Sequence, residues 1–165
     1  MRHIARICLV AITLVGCVGC DQVSKSIARA YLAPGAGYSF WHDTFRLVRT
    51  DNAGAFLSLG DAMPEQARTI IFTGVVGLLS AGALLGALCA PGLARRQVAA
   101  LSLVAAGGIG NWIDRLTRHG LVTDFLNVGV GPLRTGIFNV ADMILMGGLV
   151  LLVSARMRPA ASNRR

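Results

Sequence analysis

At 165 residues the chain suits one domain, yet 54% hydrophobic residues and a mean hydropathy of +0.61 are far above what a soluble domain of this size carries. Lipid is therefore the expected solvent for most of the chain. The formal net charge of +8 could be read as a nucleic-acid footprint, but its distribution follows membrane topology and excludes nucleic acid as a partner.

The first element is a span over about residues 4–21. Arg2 and Arg6 ahead of Ile7 to Gly16 resemble the charged and hydrophobic regions of a secretory signal, and Leu14-Val15-Gly16-Cys17 resembles a bacterial lipobox. The further membrane-length segments downstream argue against that reading, because a lipoprotein normally continues into a soluble domain. Asp21-Gln22-Val23-Ser24-Lys25 opens a polar continuation of this helix to about Tyr31, which Pro34, Gly35 and Gly37 end. From Tyr38 to Leu59, imperfect alternation in Tyr38-Ser39-Phe40-Trp41 and Phe45-Arg46-Leu47-Val48-Arg49 predicts a small outer β element. Its aromatic residues would lie at the headgroups. Asp61 to Glu65 reads as a turn or short helix.

Three more spans follow, over about residues 69–90, 97–115 and 137–155. The first of these is the clearest, since 22 uncharged residues at about 1.5 Å each cover a hydrocarbon core of roughly 30 Å. Between the spans lie outer loops of about residues 22–68 and 116–136 and a short loop of about residues 91–96. Residues 1–165 thus read as a single integral-membrane domain, all-α in its membrane part.

Arg2, Arg6, Arg95, Arg96, Arg156, Arg158, Arg164 and Arg165 flank the spans without any accompanying acid, whereas all eight acids lie in the two other connections or in the span ends that border them, where they balance the remaining eight cations. The positive-inside rule then places both termini and the Arg95-Arg96 loop in the cytoplasm, and the acids on the outer side.

Two of those acids stand at the edge of apolar sequence: Asp124 in Val122-Thr123-Asp124-Phe125 and Asp142 in Phe138-Asn139-Val140-Ala141-Asp142. A carboxylate deep in a bilayer costs roughly 2.5–3.5 kcal/mol, so it is rarely kept without a task. If the last helix starts near Ile137, Asp142 lies about 7–8 Å below its start, while Asp124 approaches from the loop between spans. Asn111, Asp114 and Arg115, at i, i+3 and i+4, are expected on one helix face, and Asn52 and Asp21 come from the other outer segment. Two carboxylates close together share one proton over a useful pH range, the arrangement by which aspartic proteases activate water and protonate a carbonyl. Neutral amides at Asn52, Asn111 and Asn139 would hold a substrate backbone, and Arg115 would orient Asp114 or stabilise an oxyanion.

The same residues carry a family resemblance. Asp21-Gln22-Val23-Ser24-Lys25, Asn52-Ala53-Gly54-Ala55-Phe56, Gly107-Gly108-Ile109-Gly110-Asn111-Trp112-Ile113-Asp114-Arg115, Val122-Thr123-Asp124-Phe125 and Phe138-Asn139-Val140-Ala141-Asp142 resemble, in order, the motifs of the lipoprotein signal peptidase (signal peptidase II) family. The second motif is one residue shorter than the family's commoner form. The resemblance implies four transmembrane helices with a small extracytoplasmic β-cradle, in the inner membrane of a bacterium. It implies an aspartic endopeptidase that cuts diacylglyceryl-modified prolipoproteins just before the lipidated Cys and works as a monomer among membrane lipids. Asp124 and Asp142 would form the catalytic dyad. Asp21, Asn52, Asn111, Asp114, Arg115 and Asn139 would take supporting or substrate-contacting roles.

Other readings remain at this level. Asp114 beside Arg115, and Asp21 with Lys25 at i, i+4, are also structural ion pairs in a plainer reading. A Ser–Lys nucleophile would draw on Lys25 and its neighbours Ser24 and Ser26, although adjacent helical residues point about 100° apart. A proton- or ion-conducting subunit would need Asp142 but not Asp124. No metal or other cofactor is expected, because His3, His42 and His119 are dispersed. Cys8, Cys17, Cys20 and Cys89 fall in apolar spans and read as small packing residues, as do the glycines of Gly82-Ala83-Leu84-Leu85-Gly86.

Overall fold

The computed structural model describes residues 3–35, 37–54 and 63–156. Helix α1 (His3–Tyr31) is followed by strands β1 (Gly37–Phe40) and β2 (Phe45–Asn52), helices α2 (Glu65–Cys89) and α3 (Arg95–Thr117), strands β3 (Val122–Val130) and β4 (Leu133–Arg134), and helix α4 (Val140–Arg156). Residues 55–59 of the expected β element, most of the expected turn before α2, and Arg158, Arg164 and Arg165 lie outside the described residues.

The helices begin and end where backbone chemistry requires. Pro64 precedes α2, and Gly92, at φ 72°, turns the chain left-handed after it. At the start of α3 the Gln97 side chain takes the Ala94 N–H at 2.9 Å. The first helix runs unbroken through the polar stretch to Tyr31, as the sequence predicts.

Helix α3 packs against all three other helices, and its glycines show why. A Cβ on Gly107 would lie 2.5 Å from the Ala141 carbonyl oxygen of α4, one on Gly108 would strike Ser80 of α2, and one on Gly110 would lie 2.6 Å from the Asp21 carboxylate of α1. One short glycine-rich run thus admits three neighbours on three faces. Of the glycines expected to pack in Gly82-Ala83-Leu84-Leu85-Gly86, Gly86 does, with a Cβ there meeting Leu101 of α3 at 3.6 Å, whereas a Cβ on Gly82 meets open space. Cys8, Cys20 and Cys89 are likewise exposed on outer helix faces instead of packed.

Polarity is inverted relative to a water-soluble protein. Ile12, Val15, Leu78, Leu79 and Val150 are exposed, while Asp21, Lys25, Asp114, Asp124 and Asn139 are buried. Helices α1 and α2 are long and apolar enough to cross a bilayer, and α4 is apolar but shorter.

The four strands form one antiparallel sheet in the order β1-β2-β3-β4. Two of its strands, β3 and β4, lie where the sequence predicts only a loop, over about residues 116–136. Phe125 of β3 packs with Ala28 and Leu32, fastening the sheet to the end of α1.

Candidate active site

Strand β3 alternates its side chains between two covered faces. Thr123 and Phe125 turn away from the cavity described below, while Val122 and Asp124 line it. This corrects the loop placement of Asp124: the residue is held by a sheet.

Strand register decides its partner. Leu47 pairs with Leu126 but Thr50 pairs with Asp124, so β2 carries one extra residue in between. This bulge changes the parity of β2, and Asn52, opposite Val122, comes to the same face as Asp124. Its Nδ2 donates to Asp124 Oδ2 at 2.9 Å, and its Oδ1 accepts the Gly54 N–H at 2.9 Å.

The second carboxylate sits at a helix start. Phe138 exchanges backbone hydrogen bonds with Leu126 of β3, so α4 begins at Val140 and not near Ile137. Asp142 is then the third helical residue, about 3 Å from the start instead of 7–8 Å. Asn139 caps the helix reciprocally: its Oδ1 accepts the Asp142 N–H at 3.0 Å, and its own N–H donates to Asp142 Oδ2 at 3.0 Å. The positive end of the helix dipole also faces Asp142.

Two amides join the carboxylates. Asn139 Nδ2 donates to Asp124 Oδ1 at 2.6 Å and to Asn111 Oδ1 at 3.0 Å, while Asn111 Nδ2 donates to Asp142 Oδ1 at 2.8 Å. Each aspartate therefore accepts two hydrogen bonds from neutral donors. Burial pushes the Asp124 carboxyl up to about 6, and the neighbouring Asp142 charge adds to the rise, whereas the Asn52 and Asn139 amides pull against it.

Both aspartates open onto a cavity of about 470 Å³. Asn52, Asn111, Arg115 and Asn139 also line it, with Ile137, Met143 and Met146 supplying an apolar side. Arg115 does not orient Asp114. Its Nη2 donates to the Gly54 carbonyl at 3.0 Å, and its buried Nε has no partner among the described residues.

Asp21 and Asp114 lie behind this cavity. Asp21 accepts the Ala141 N–H at 2.9 Å and meets Lys25 Nζ at 2.9 Å; Asp114 accepts the Thr123 N–H at 3.0 Å and meets Lys25 at 3.4 Å and Arg29 at 3.9 Å. The Asp21–Lys25 pair is thus present, but the Asp114–Arg115 pair is not found among the described residues; Asp114 and Asn111 both meet Lys25 of α1, and only Asn111 also reaches Asp142. Gln22 ties the cluster together through Asp21, Asp114 and the Gly110 carbonyl. The Ser–Lys reading fails: Ser24 and Ser26 each donate to a backbone carbonyl of their own helix, and Lys25 is fully buried among carboxylates. In the sequence Lys25 stands as an ion-pair partner, a rival nucleophile and the last residue of the Asp21-to-Lys25 motif, with no role of its own at the site. Its isolation as the single lysine beside Asp21 was the available signal.

Comparison with known proteins gives a consistent result. A family model described as signal peptidase (SPase) II matches residues 12–158. The lipoprotein signal peptidase of Dehalococcoides mccartyi is 40% identical over 134 residues, covering 81% of this chain and 79% of that protein. That of Mycobacterium tuberculosis strain H37Rv is 31% identical over 163 residues, covering 93% and 70%. A solved bacterial membrane enzyme superposes with a TM-score of 0.80 at 23% identity, covering 94% of this chain and 92% of that one, which shows a shared fold. With the family model spanning nearly all of the described chain and relatives matching over most of their own lengths, this chain belongs to the signal peptidase II family.

Proposed function

We propose that this peptidase is an aspartic enzyme with Asp124 and Asp142 as its catalytic dyad. The observation that carries the reading is the shared amide. Asn139 caps α4 around Asp142 while donating to Asp124, so two carboxylates from different elements face one cavity through a single rigid connector. As a member of its family the chain is a peptide-bond hydrolase that processes prolipoproteins. The substrate is a diacylglyceryl-modified prolipoprotein cut just before its lipidated Cys.

The dyad shares one proton. The ionised carboxylate takes a proton from water as the water oxygen bonds to the scissile carbonyl carbon, and the protonated carboxyl gives its proton to the carbonyl oxygen. The resulting diol collapses with proton transfer to the leaving nitrogen, which restores the singly protonated pair. Asn52, Asn111 and Asn139 hold the carboxylates in place without adding charge, and Arg115 at the cavity wall is set to attract the developing oxyanion.

A substrate with two acyl chains stays in lipid, which agrees with the apolar exterior and the Met143 and Met146 side of the cavity. All four helices are assigned to the inner membrane, with both termini cytoplasmic and the sheet forming an extracytoplasmic cradle that bears exposed Tyr38, Phe40 and Trp41. Residues 1–165 act as one domain and as a monomer. Neither metal nor cofactor enters the scheme.

The test is a gel-shift assay with purified protein in detergent or lipid, comparing lipidated and unmodified prolipoprotein, with and without chelator. Cleavage of the lipidated form alone, unaffected by chelator and lost in both Asp124→Asn and Asp142→Asn, is expected. Substantial cleavage by either variant overturns the dyad. A conducting subunit would instead tolerate Asp124→Asn.

A further inference from the structure

We infer that Lys25 is a positioning residue for the dyad, fixing and polarising the Asn111 amide that holds Asp142. The inference rests on the dyad reading above. Lys25 is completely buried, and its ammonium has three N–H bonds to place. Two carboxylates, Asp21 at 2.9 Å and Asp114 at 3.4 Å, would suffice for a merely structural lysine. The third direction leads elsewhere, to Asn111 Oδ1 at 2.9 Å.

That contact matters because an amide can turn over. Asn111 has an oxygen and an NH₂ of nearly equal shape, and only the NH₂ can donate to Asp142. Turned over, it would set an oxygen against the Asp142 carboxylate. Lys25 has no acceptor at all, so it admits only the amide oxygen on its side. Asn139 acts in the same sense, since its own orientation is set by the Asp142 backbone N–H and its Nδ2 then meets Asn111 Oδ1. Lys25 adds charge to this arrangement. A cation on the amide oxygen draws electron density from the nitrogen and makes its N–H a stronger donor to Asp142.

The cation also acts on the second carboxylate, whose ionised form it favours across the cluster. Among the described residues Lys25 meets Asp21 on α1 and Asp114 on α3; Arg29 on α1 meets Asp114 in turn, and Asp124 on β3 feels Lys25 together with Asp142 on α4 and Arg115 on α3. Removing Lys25 leaves Asp124 with less compensation for its burial.

The test uses the full chain in detergent with diacylglyceryl-modified prolipoprotein as substrate. Lys25→Met alone would strand Asp21 and Asp114, so it is paired with the double variant Lys25→Met/Asp21→Asn, whose Asn still offers an oxygen to the Ala141 N–H. In the double variant, thermal stability is expected to recover while kcat stays down by about tenfold or more, with KM within about twofold of wild type. The alkaline limb of the kcat/KM profile is expected to move upward in Lys25→Met. A double variant with wild-type kcat and an unshifted profile would show that Lys25 only fills and neutralises the cluster, and the inference falls. Asp124→Asn is run beside them: if it still cleaves, the dyad reading fails first, whatever Lys25 does.

Discussion

The burial of Asp124 has a thermodynamic consequence that can be measured apart from catalysis. Its carboxyl is pushed up to about 6 in the folded protein, against about 3.9 in an unfolded chain. Because the folded value is the higher one, the native state holds this proton more tightly, and the resulting stability is full at low pH and is lost as pH rises through about 6. Between about pH 5 and pH 8 the loss is roughly 1.4 kcal/mol, one pKa unit at 1.36 kcal/mol. Asn at this position does not titrate. Asp124→Asn turns its NH₂ toward one of two existing donors, Asn52 or Asn139, a mismatch of about 1–3 kcal/mol that does not vary with pH. The informative quantity is therefore the change in the difference between the two proteins. Thermal unfolding in detergent micelles, followed across that pH range, should show the wild type losing about 1.4 kcal/mol relative to the variant. Parallel stability curves, or a wild type that gains on the variant as pH rises, would refute the placement of Asp124 as a desolvated carboxyl.

Three further outcomes are expected. Asn52→Ala removes the 2.9 Å donor that favours ionised Asp124, so the alkaline limb of the kcat/KM profile should move above its wild-type position; a downward or absent shift in a pH–rate series would count against it. Gly110→Ala would put a Cβ 2.6 Å from Asp21 Oδ2 and 3.1 Å from Ala141 Cβ, and should cost about 1–3 kcal/mol in unfolding measurements together with a fall in activity. Gly82→Ala meets open space inside α2 and should leave cleavage within error of wild type while raising stability by about 0.5–1 kcal/mol, which makes it the control for a helix-wide effect.

Some of this molecule is written locally. The apolar spans, the charge asymmetry and the punctuation by Pro34, Pro64 and Gly92 need only neighbours along the chain, so the four helices were legible with ends displaced by a few residues. The spacing of Asn139 and Asp142 likewise encodes a reciprocal helix cap, because i and i+3 meet across the first turn. The residues of the candidate site were legible too, as polar groups placed where apolar sequence would be cheaper.

Their partners were not. The Asp114 side chain goes to α1 and β3 instead of Arg115, and Lys25 reaches Asn111 across 86 positions of sequence. Helical periodicity names a face but not the element that covers it. The third and fourth strands escaped notice because β3 is covered on both sides, which erases the alternation by which a half-buried strand is read. The bulge in β2 is set by pairing between strands distant in sequence, and it alone brings Asn52 to the face of Asp124. What the sequence determined by itself was therefore which residues are costly in a membrane and where the helices run. Which carboxylate meets which amide was decided only by tertiary structure, since strand parity and buried hydrogen bonds depend on contacts that local sequence does not contain.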